Sequence, residues 1–247
     1  MANDVEPVSE RSHIQKAWDR VVIIETAKFS SSIDQARVLA AVSAHTGNWL
    51  HAAPISSIGL RLSNEAIHVA VGHRLRTNTC QPHECPCDKQ VDARGLHSSL
   101  VGKQLPDSSG TLTLTLTRSN QESVGLFRSD GKRQYGATQI PWATGKPLAW
   151  DVPAPDTYAD SIINSTSITA GAAANHAATV KSAKNYANLT STHIFVPFVI
   201  ETSGAWNAQA IDLTQEIGRR TTAVTGDPLE TIHLFQRLSI YPGGKTR

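Results

Sequence analysis

The sequence predicts a mixed α/β fold, and three observations lead to that prediction. Apolar residues recur at helical spacing up to about residue 80 and again beyond residue 205. Between these parts, from residue 122 to 202, short strand-like runs alternate with one Ala-rich helical segment. The resulting order of a hairpin, a strand, a helix and a strand is typical of an α/β domain.

Two helices are predicted before residue 80. The first follows Ser32 and Gln35, which have capping-box spacing ahead of DQARVLAAVSA. The second is SNEAIHVAVGHRLR, where Ser63 would cap the helix. The turn-rich stretch HTGNWLHAAPISSIGLRL, which contains Trp49, connects them. The apolar residues that share one face of the second helix are Ile67, Val71 and Leu75.

The three cysteines of the chain lie together in CQPHECPC. An odd, clustered set argues against a disulfide framework and favours a reduced compartment with metal binding. Thiolates and imidazoles at short spacing suit tetrahedral zinc. A four-ligand site would use Cys85, Cys87 and His97, with either Cys80 or His83 as the fourth ligand. The alternative is a loop of free thiols without metal.

The stretch LPDSSGTLTLTLTRSNQ follows this cluster and is rich in Ser and Thr. Its Thr-Leu alternation is typical of a strand, but the composition equally suits a linker.

The predicted sheet lies in the third segment of the chain. Short strands are predicted in VGLFR, YGATQIPW and PLAWDV, with Asp130-Gly131 and ATGK as turns. AGAAANHAATVKSAKNYANL then predicts a helix, and HIFVPFVIET is typical of a strand buried on both faces. The expected apolar stripe of that helix consists of Val180, Ala183 and Ala187.

Two further helices are predicted to close the chain. The second of them is PLETIHLFQRL, with Pro228 near its first position. The first has apolar residues at i, i+4, i+7 and i+11, namely Trp206, Ala210, Leu213 and Ile217.

Composition gives weaker guidance about partners and location. The net charge of +2 is too small to indicate nucleic-acid binding by itself. The polar start MANDVEPVSERS has no apolar core of a secretory signal, and no apolar run approaches the roughly 20 residues that cross a bilayer. We therefore expect an intracellular protein without a membrane partner.

Six stretches together resemble one protein family: HTGNWLHAAPISSIGLRL, VDARGLH, GLFRSDGKR, KPLAWDV, HIFVPFVIET and EIGRRTTAVTGDPLETIHLFQRLS. They are similar to the C-terminal region of non-LTR retrotransposon polyproteins. There, a helical linker, a CCHC zinc knuckle and a restriction-like endonuclease domain of PD-(D/E)xK design follow the reverse transcriptase core. The resemblance runs from about Ala17 to Ser239, with a gap near 98–120. The chain has no YADD or FADD motif, so no polymerase activity is implied.

The resemblance implies a domain division and a location. The three parts are a helical linker module at 1–78, a degenerate zinc knuckle and linker at 79–120, and the endonuclease-like domain with its C-terminal helices at 121–247. Possible zinc ligands are then Cys80, Cys85, Cys87 and His97, and the expected location is the nucleus.

The resemblance also implies catalytic residues. In such nucleases two carboxylates on adjacent strands hold Mg²⁺, which polarises the scissile phosphate, and a lysine positions or deprotonates the attacking water. Asp151 matches the second carboxylate and hence a Mg²⁺ ligand, while Lys181 and Lys184 match lysines of the following helix. DNA or RNA is the implied partner. The basic residues expected to contact its phosphates are Arg128, Lys132 and Arg133.

The departures from the family pattern predict impaired chemistry. Gln134-Tyr135 stands where the family has Pro-Asp, and a neutral, bulky tyrosine does not replace a carboxylate as a Mg²⁺ ligand. Val101 stands near the place of the last knuckle cysteine, and LPDSSGTLTLTLT replaces a helix carrying an Arg-His pair. Three such changes predict a degenerate element copy that has lost most of its cleavage activity.

Other interpretations of the same residues remain open. Asp151 also suits a strand-end cap, and Lys181 and Lys184 a solvated helix face. Trp142 and Trp150 suit the hairpin core better than base stacking. The chain as a whole also suits a non-catalytic nucleic-acid-binding module, or a structural or interaction protein adopted by a host.

Overall fold

The computed structural model describes residues 31–55, 60–61, 64–75, 77–84, 88, 90–94, 136–138, 140–189 and 191–239. Its helices are α1 (Ser32–Ala41), a 3₁₀ turn (Asn48–His51), α2 (Asn64–Leu75), α3 (Ile163–Thr166), α4 (Ala172–Leu189), α5 (Ala208–Thr225) and α6 (Glu230–Leu238). Its strands are β1 (His83–Glu84), β2 (Gln90–Val91), β3 (Gly136–Ala137), β4 (Leu148–Asp151) and β5 (Ile194–Pro197). The mixed helix-and-sheet class predicted from the sequence is confirmed.

A three-stranded sheet in the order β3-β4-β5 positions the candidate site. Strand β3 runs antiparallel to β4, with Gly136 opposite Trp150. Strand β5 runs parallel to β4, with Asp151 opposite Pro197. A parallel neighbour requires a crossover connection, and α4 supplies it. The carboxyl ends of β4 and β5 therefore lie side by side.

The main core lies between this sheet and helices α5 and α6. Trp150 is fully buried, and Gly136 leaves the space for its ring, because a Cβ on Gly136 would lie 2.1 Å from a ring carbon. Trp150 is thus a core residue, as expected. The other buried members of this core are Leu148, Phe198, Ile200, Trp206, Ala210, Leu213, Ile217, Leu234, Phe235 and Leu238. They include all four positions predicted for the first C-terminal helix.

Two predicted apolar faces are wrong. On α2, Ile67 and Leu75 are exposed, at 40% and 67% of their surface. On α4, Val180 and Ala183 are exposed, and the buried stripe is instead Ala173, Ala174 and Ala178. In an Ala-rich helix almost any face is apolar, so the periodicity does not select the one that packs.

Several predicted boundaries also differ. Helix α1 begins at Ser32 after Ser31, and no side chain caps it, so the proposed capping box is not formed. Strand β5 ends at Pro197, and the buried residues Phe198 and Val199 follow it outside the strand. Helix α6 begins at Glu230 rather than near Pro228. The ATGK turn is confirmed, whereas Ser63, VGLFR and Asp130-Gly131 lie outside the described residues.

The N-terminal helical segment contacts the C-terminal helices directly. The His45 ring stacks on Phe235 with centroids 3.7 Å apart. The Trp49 amide donates to the Ser239 hydroxyl at 2.9 Å, and the Thr46 hydroxyl donates to the Gly204 carbonyl at 3.0 Å. These contacts connect the stretch predicted as a linker module to the core of the sheet. Among the described helices, none is both long and apolar enough to cross a membrane.

Candidate active site

Asp151 is the last residue of β4 and is held there by its backbone. Its carbonyl accepts a hydrogen bond from the Phe198 amide at 2.8 Å, so the end of β4 is fixed against the chain after β5. The side chain is only 6% exposed. A carboxylate buried to this degree needs a compensating partner.

Lys181 supplies that partner from the middle of α4. Its Nζ lies 2.5 Å from Oδ2 of Asp151, and 32% of the lysine side chain is exposed. The other carboxylate oxygen, Oδ1, is buried and has no hydrogen-bond partner in the part of the chain that the structure describes. One oxygen of Asp151 is therefore paired with a cation, while the other meets no donor among the described residues.

Lys184, the second predicted helix lysine, lies one turn further along α4 and is exposed. No contact between described residues joins it to Asp151. The structure therefore brings together Asp151 and Lys181, and leaves Lys184 on the solvent side of the same helix.

Glu201 is a buried acidic residue that the sequence interpretation missed. It is 0% exposed, and the amides of Ala173 and Ala174 donate to its Oε1 at 2.8 and 3.1 Å. The Thr157 hydroxyl donates to Oε2 at 3.1 Å. Burial raises the pKa of the Glu201 carboxyl, and these hydrogen bonds oppose that rise. The available signal in the sequence was a single acidic residue directly after the apolar run HIFVPFVI.

The described residues do not fit a complete Mg²⁺ site. Among them, no three His, Cys, Asp or Glu side chains lie close enough to hold one ion. Oδ1 of Asp151 offers one anionic ligand, whereas the resemblance implies two carboxylates. The position of the first, Tyr135, and the nearby Asp130 lie outside the described residues.

The zinc ligands are described only in part. The Cys80 thiol is partly exposed and donates to the carbonyls of Asp92 and Ala93 at 3.3 and 3.7 Å. His83 is exposed on β1, with its Nδ1 2.9 Å from the Gln81 carbonyl oxygen. The other expected ligands, Cys85, Cys87 and His97, lie outside the described residues, so the zinc knuckle stays a prediction.

The basic residues expected to contact phosphates, Arg128, Lys132 and Arg133, also lie outside the described residues. Near the sheet, the Arg220 guanidinium stacks 3.6 Å from the centroid of the Trp142 ring. It also donates to Glu216, as does Arg219. Trp142 is thus covered by a side chain of the same molecule, which agrees with a packing role.

Comparisons with protein-family models, curated proteins and solved structures found no match to this chain.

Proposed function

We propose that this chain is a retrotransposon-derived, restriction-endonuclease-like domain that binds nucleic acid and has impaired DNA cleavage. The observation that carries the proposal is the pairing of Asp151 with Lys181. The motif resemblance selected both residues, which are distant in sequence, and their side chains lie 2.5 Å apart.

The Oδ1 atom of Asp151, which has no partner among the described residues, favours a binding site over a purely structural ion pair. Buried polar atoms almost always have hydrogen-bond partners, so an orphaned carboxylate oxygen needs a specific reason. A position for a cation or a bound water is such a reason, because either would satisfy Oδ1 without disturbing Lys181.

The topology around the pair supports the same assignment. The PD-(D/E)xK design needs carboxylates on adjacent strands and a lysine near them. Here β3 and β4 form an antiparallel pair, Asp151 ends β4, and α4 carries Lys181 across to β5. The first carboxylate would belong immediately before β3, where the sequence has Tyr135.

The substitution at Tyr135 is the reason for proposing impaired cleavage. A tyrosine hydroxyl is neutral near pH 7, so it leaves Asp151 as the only anionic metal ligand of the motif. Phosphate contacts by Arg128, Lys132, Arg133 and the exposed Lys184 do not depend on that ligand. Binding is therefore expected to persist where cleavage does not.

The binding part of the proposal is tested by titrating the protein with fluorescent duplex and branched DNA across a salt series. The logarithm of the affinity should fall linearly with that of the salt concentration, because each phosphate contact releases a counterion. Lys184→Gln should weaken binding and reduce the slope by about 1. Arg219→Gln is the matched control, since its guanidinium already donates to Glu216. An affinity that does not respond to salt would contradict nucleic-acid binding.

A second candidate is a non-catalytic nucleic-acid-binding module that does not derive from a nuclease, so that Asp151 was never a metal ligand. The exposure of Lys184 and the partial exposure of Lys181 on one helix favour binding through α4 alone. Restoration of the Pro-Asp motif separates the two candidates, because only a nuclease-type site regains cleavage.

A further inference from the structure

Helix α4 lacks a capping side chain of its own. The first amides of any helix have no intrahelical partner and need an acceptor. The first turn of α4 begins with three alanines, Ala172 to Ala174, and has no acidic residue. Gly171 before it has a φ of +79°, a conformation that permits the sharp entry into the helix.

Glu201 supplies the missing acceptor from a distant part of the chain. Its Oε1 accepts both the Ala173 and the Ala174 amide, although Glu201 lies 28 and 27 residues downstream of them. A carboxylate there also interacts favourably with the positive end of the helix. The bonds connect the start of α4 to the chain just after β5.

The Glu201 side chain is itself held firmly. Besides donating to Oε2 of Glu201, the Thr157 hydroxyl lies 2.7 Å from the Ser203 hydroxyl and accepts from the Ser203 amide at 3.1 Å. Ala174 and Ala178 pack against Val199, two residues before Glu201. The N-terminal half of α4 is thus fixed to the segment that follows β5.

The other fixed point of α4 is the ion pair. Lys181 lies eight residues after Ala173, which is about 12 Å along a helix. Because the helix is stiff over two turns, the position of its first turn determines where the Lys181 ammonium lies relative to β4. Asp151 is fixed independently through the hydrogen bond from Phe198.

We propose that Glu201 is the positioning residue of the candidate site: by binding the first-turn amides of α4, it sets that helix so that Lys181 reaches Asp151. The functional importance of the Asp151–Lys181 pair rests on the proposed function. The position of Lys181 relative to Asp151 is tested without metal or nucleic acid. A failure of nucleic-acid binding or of restored cleavage would therefore leave that test unaffected.

The test is a double-mutant cycle for the Asp151–Lys181 pair. Asp151→Asn, Lys181→Met and the double variant are unfolded in urea, first in the otherwise unchanged chain and then with Glu201→Ala. The coupling is the factor by which the unfolding equilibrium constant of the double variant differs from the value expected if the two single changes acted independently. We expect this factor to be about five in the otherwise unchanged chain and close to one, which means no coupling, with Glu201→Ala. Glu201→Gln should retain the coupling, because its amide oxygen still accepts the two helix amides.

Leu213→Ala is the control that distinguishes a general loss of stability from a displacement of Lys181 relative to Asp151. This variant opens a cavity in the core next to α5 and lowers stability without touching the α4 cap. We expect it to leave the coupling intact. Hydrogen exchange at the Ala173 and Ala174 amides should become about tenfold faster with Glu201→Ala and stay slow with Leu213→Ala.

An unchanged coupling in Glu201→Ala, at whatever stability, would overturn the proposal. If Glu201→Ala does not fold, Thr157→Val replaces it, since that change loosens the Glu201 side chain by removing the hydroxyl that is bonded to Oε2 and to Ser203. A reduced coupling in Thr157→Val supports the positioning role, and an undiminished one overturns it.

Discussion

At the scale of single residues, the family resemblance pointed to Asp151 and Lys181 but not to Glu201. The first two residues were selected by the resemblance, and their side chains lie 2.5 Å apart. The role of Glu201 depends on its burial and on the two hydrogen bonds that it accepts from the Ala173 and Ala174 amides. Both depend on how the chain after β5 returns to the start of α4. A single acidic residue after an apolar strand does not reveal that return.

The raised pKa of Glu201 gives a prediction at the same scale. Its ordinary value is 4.5, and burial raises the pKa in the folded state. The folded protein therefore binds the proton more tightly than the unfolded chain, and stability falls as the pH rises from about 4.5 through the higher folded pKa. Glu201→Gln removes this titration, so its stability relative to the unchanged protein should increase over that range.

Urea unfolding of both proteins at a series of pH values measures the difference. Thr214→Val is a suitable control, because its buried hydroxyl donates only within α5 and does not titrate. A difference between Glu201→Gln and the unchanged protein that stays constant from pH 4 to pH 8 would contradict the raised pKa.

At the scale of elements, sequence periodicity predicted α5 well and α4 poorly. The three predicted apolar positions that lie within α5, Ala210, Leu213 and Ile217, share one face and are all buried. Helix α4 is Ala-rich, and its buried face is set by contact with Val199 rather than by its own pattern. Short strands such as β3 have too few residues to show any period.

The crossing of α5 and α6 carries a second prediction. A Cβ on Gly218 would lie 2.3 Å from Oγ1 of Thr231 and 2.6 Å from its Cα, so the two helices touch at this glycine. Gly218→Ala should destabilise the protein by about 1–3 kcal/mol, because backbone atoms cannot move aside easily. Thermal unfolding measures the loss.

The control for this crossing is Gly226→Ala at the end of α5. Gly226 has a φ of +76° and open space around its Cα. A side chain there would meet no other atom, so its only cost is the strain of the left-handed backbone conformation. Its expected cost is about 1 kcal/mol. A Gly218→Ala protein as stable as the unchanged one would show that the helices do not meet at this point.

At the scale of the whole molecule, the helical segment near the N-terminus is connected to the C-terminal helices. Trp49 is buried, and its amide donates to the hydroxyl of Ser239, just after α6. A division into 1–78 and later segments follows from the family resemblance, whereas this contact spans 190 residues of sequence. Local patterns carry no information about such a long-range contact.

The long-range contact predicts cooperative unfolding. Trp49→Ala should lower the free energy of unfolding by about 3 kcal/mol or more. Probes in the N-terminal and C-terminal segments should still report a single unfolding transition, which is shifted to milder conditions. Near-ultraviolet circular dichroism and hydrogen exchange in α5 report the C-terminal part. Leu75→Ala is the control, because Leu75 is 67% exposed and should have little effect. Two separate transitions, with α5 unaffected by Trp49→Ala, would contradict this coupling.

The central claim is that the chain keeps a nuclease-type site from which one carboxylate has been lost. Nicking of supercoiled plasmid in Mg²⁺ or Mn²⁺ tests it most directly, using the unchanged protein, Gln134→Pro with Tyr135→Asp, and that pair combined with Asp151→Asn. We expect no nicking by the unchanged protein, nicking by the restored variant, and its loss when Asp151 is also changed. Cleavage by the unchanged protein that Asp151→Ala abolishes, or a folded, DNA-binding restored variant that does not nick, would contradict the claim.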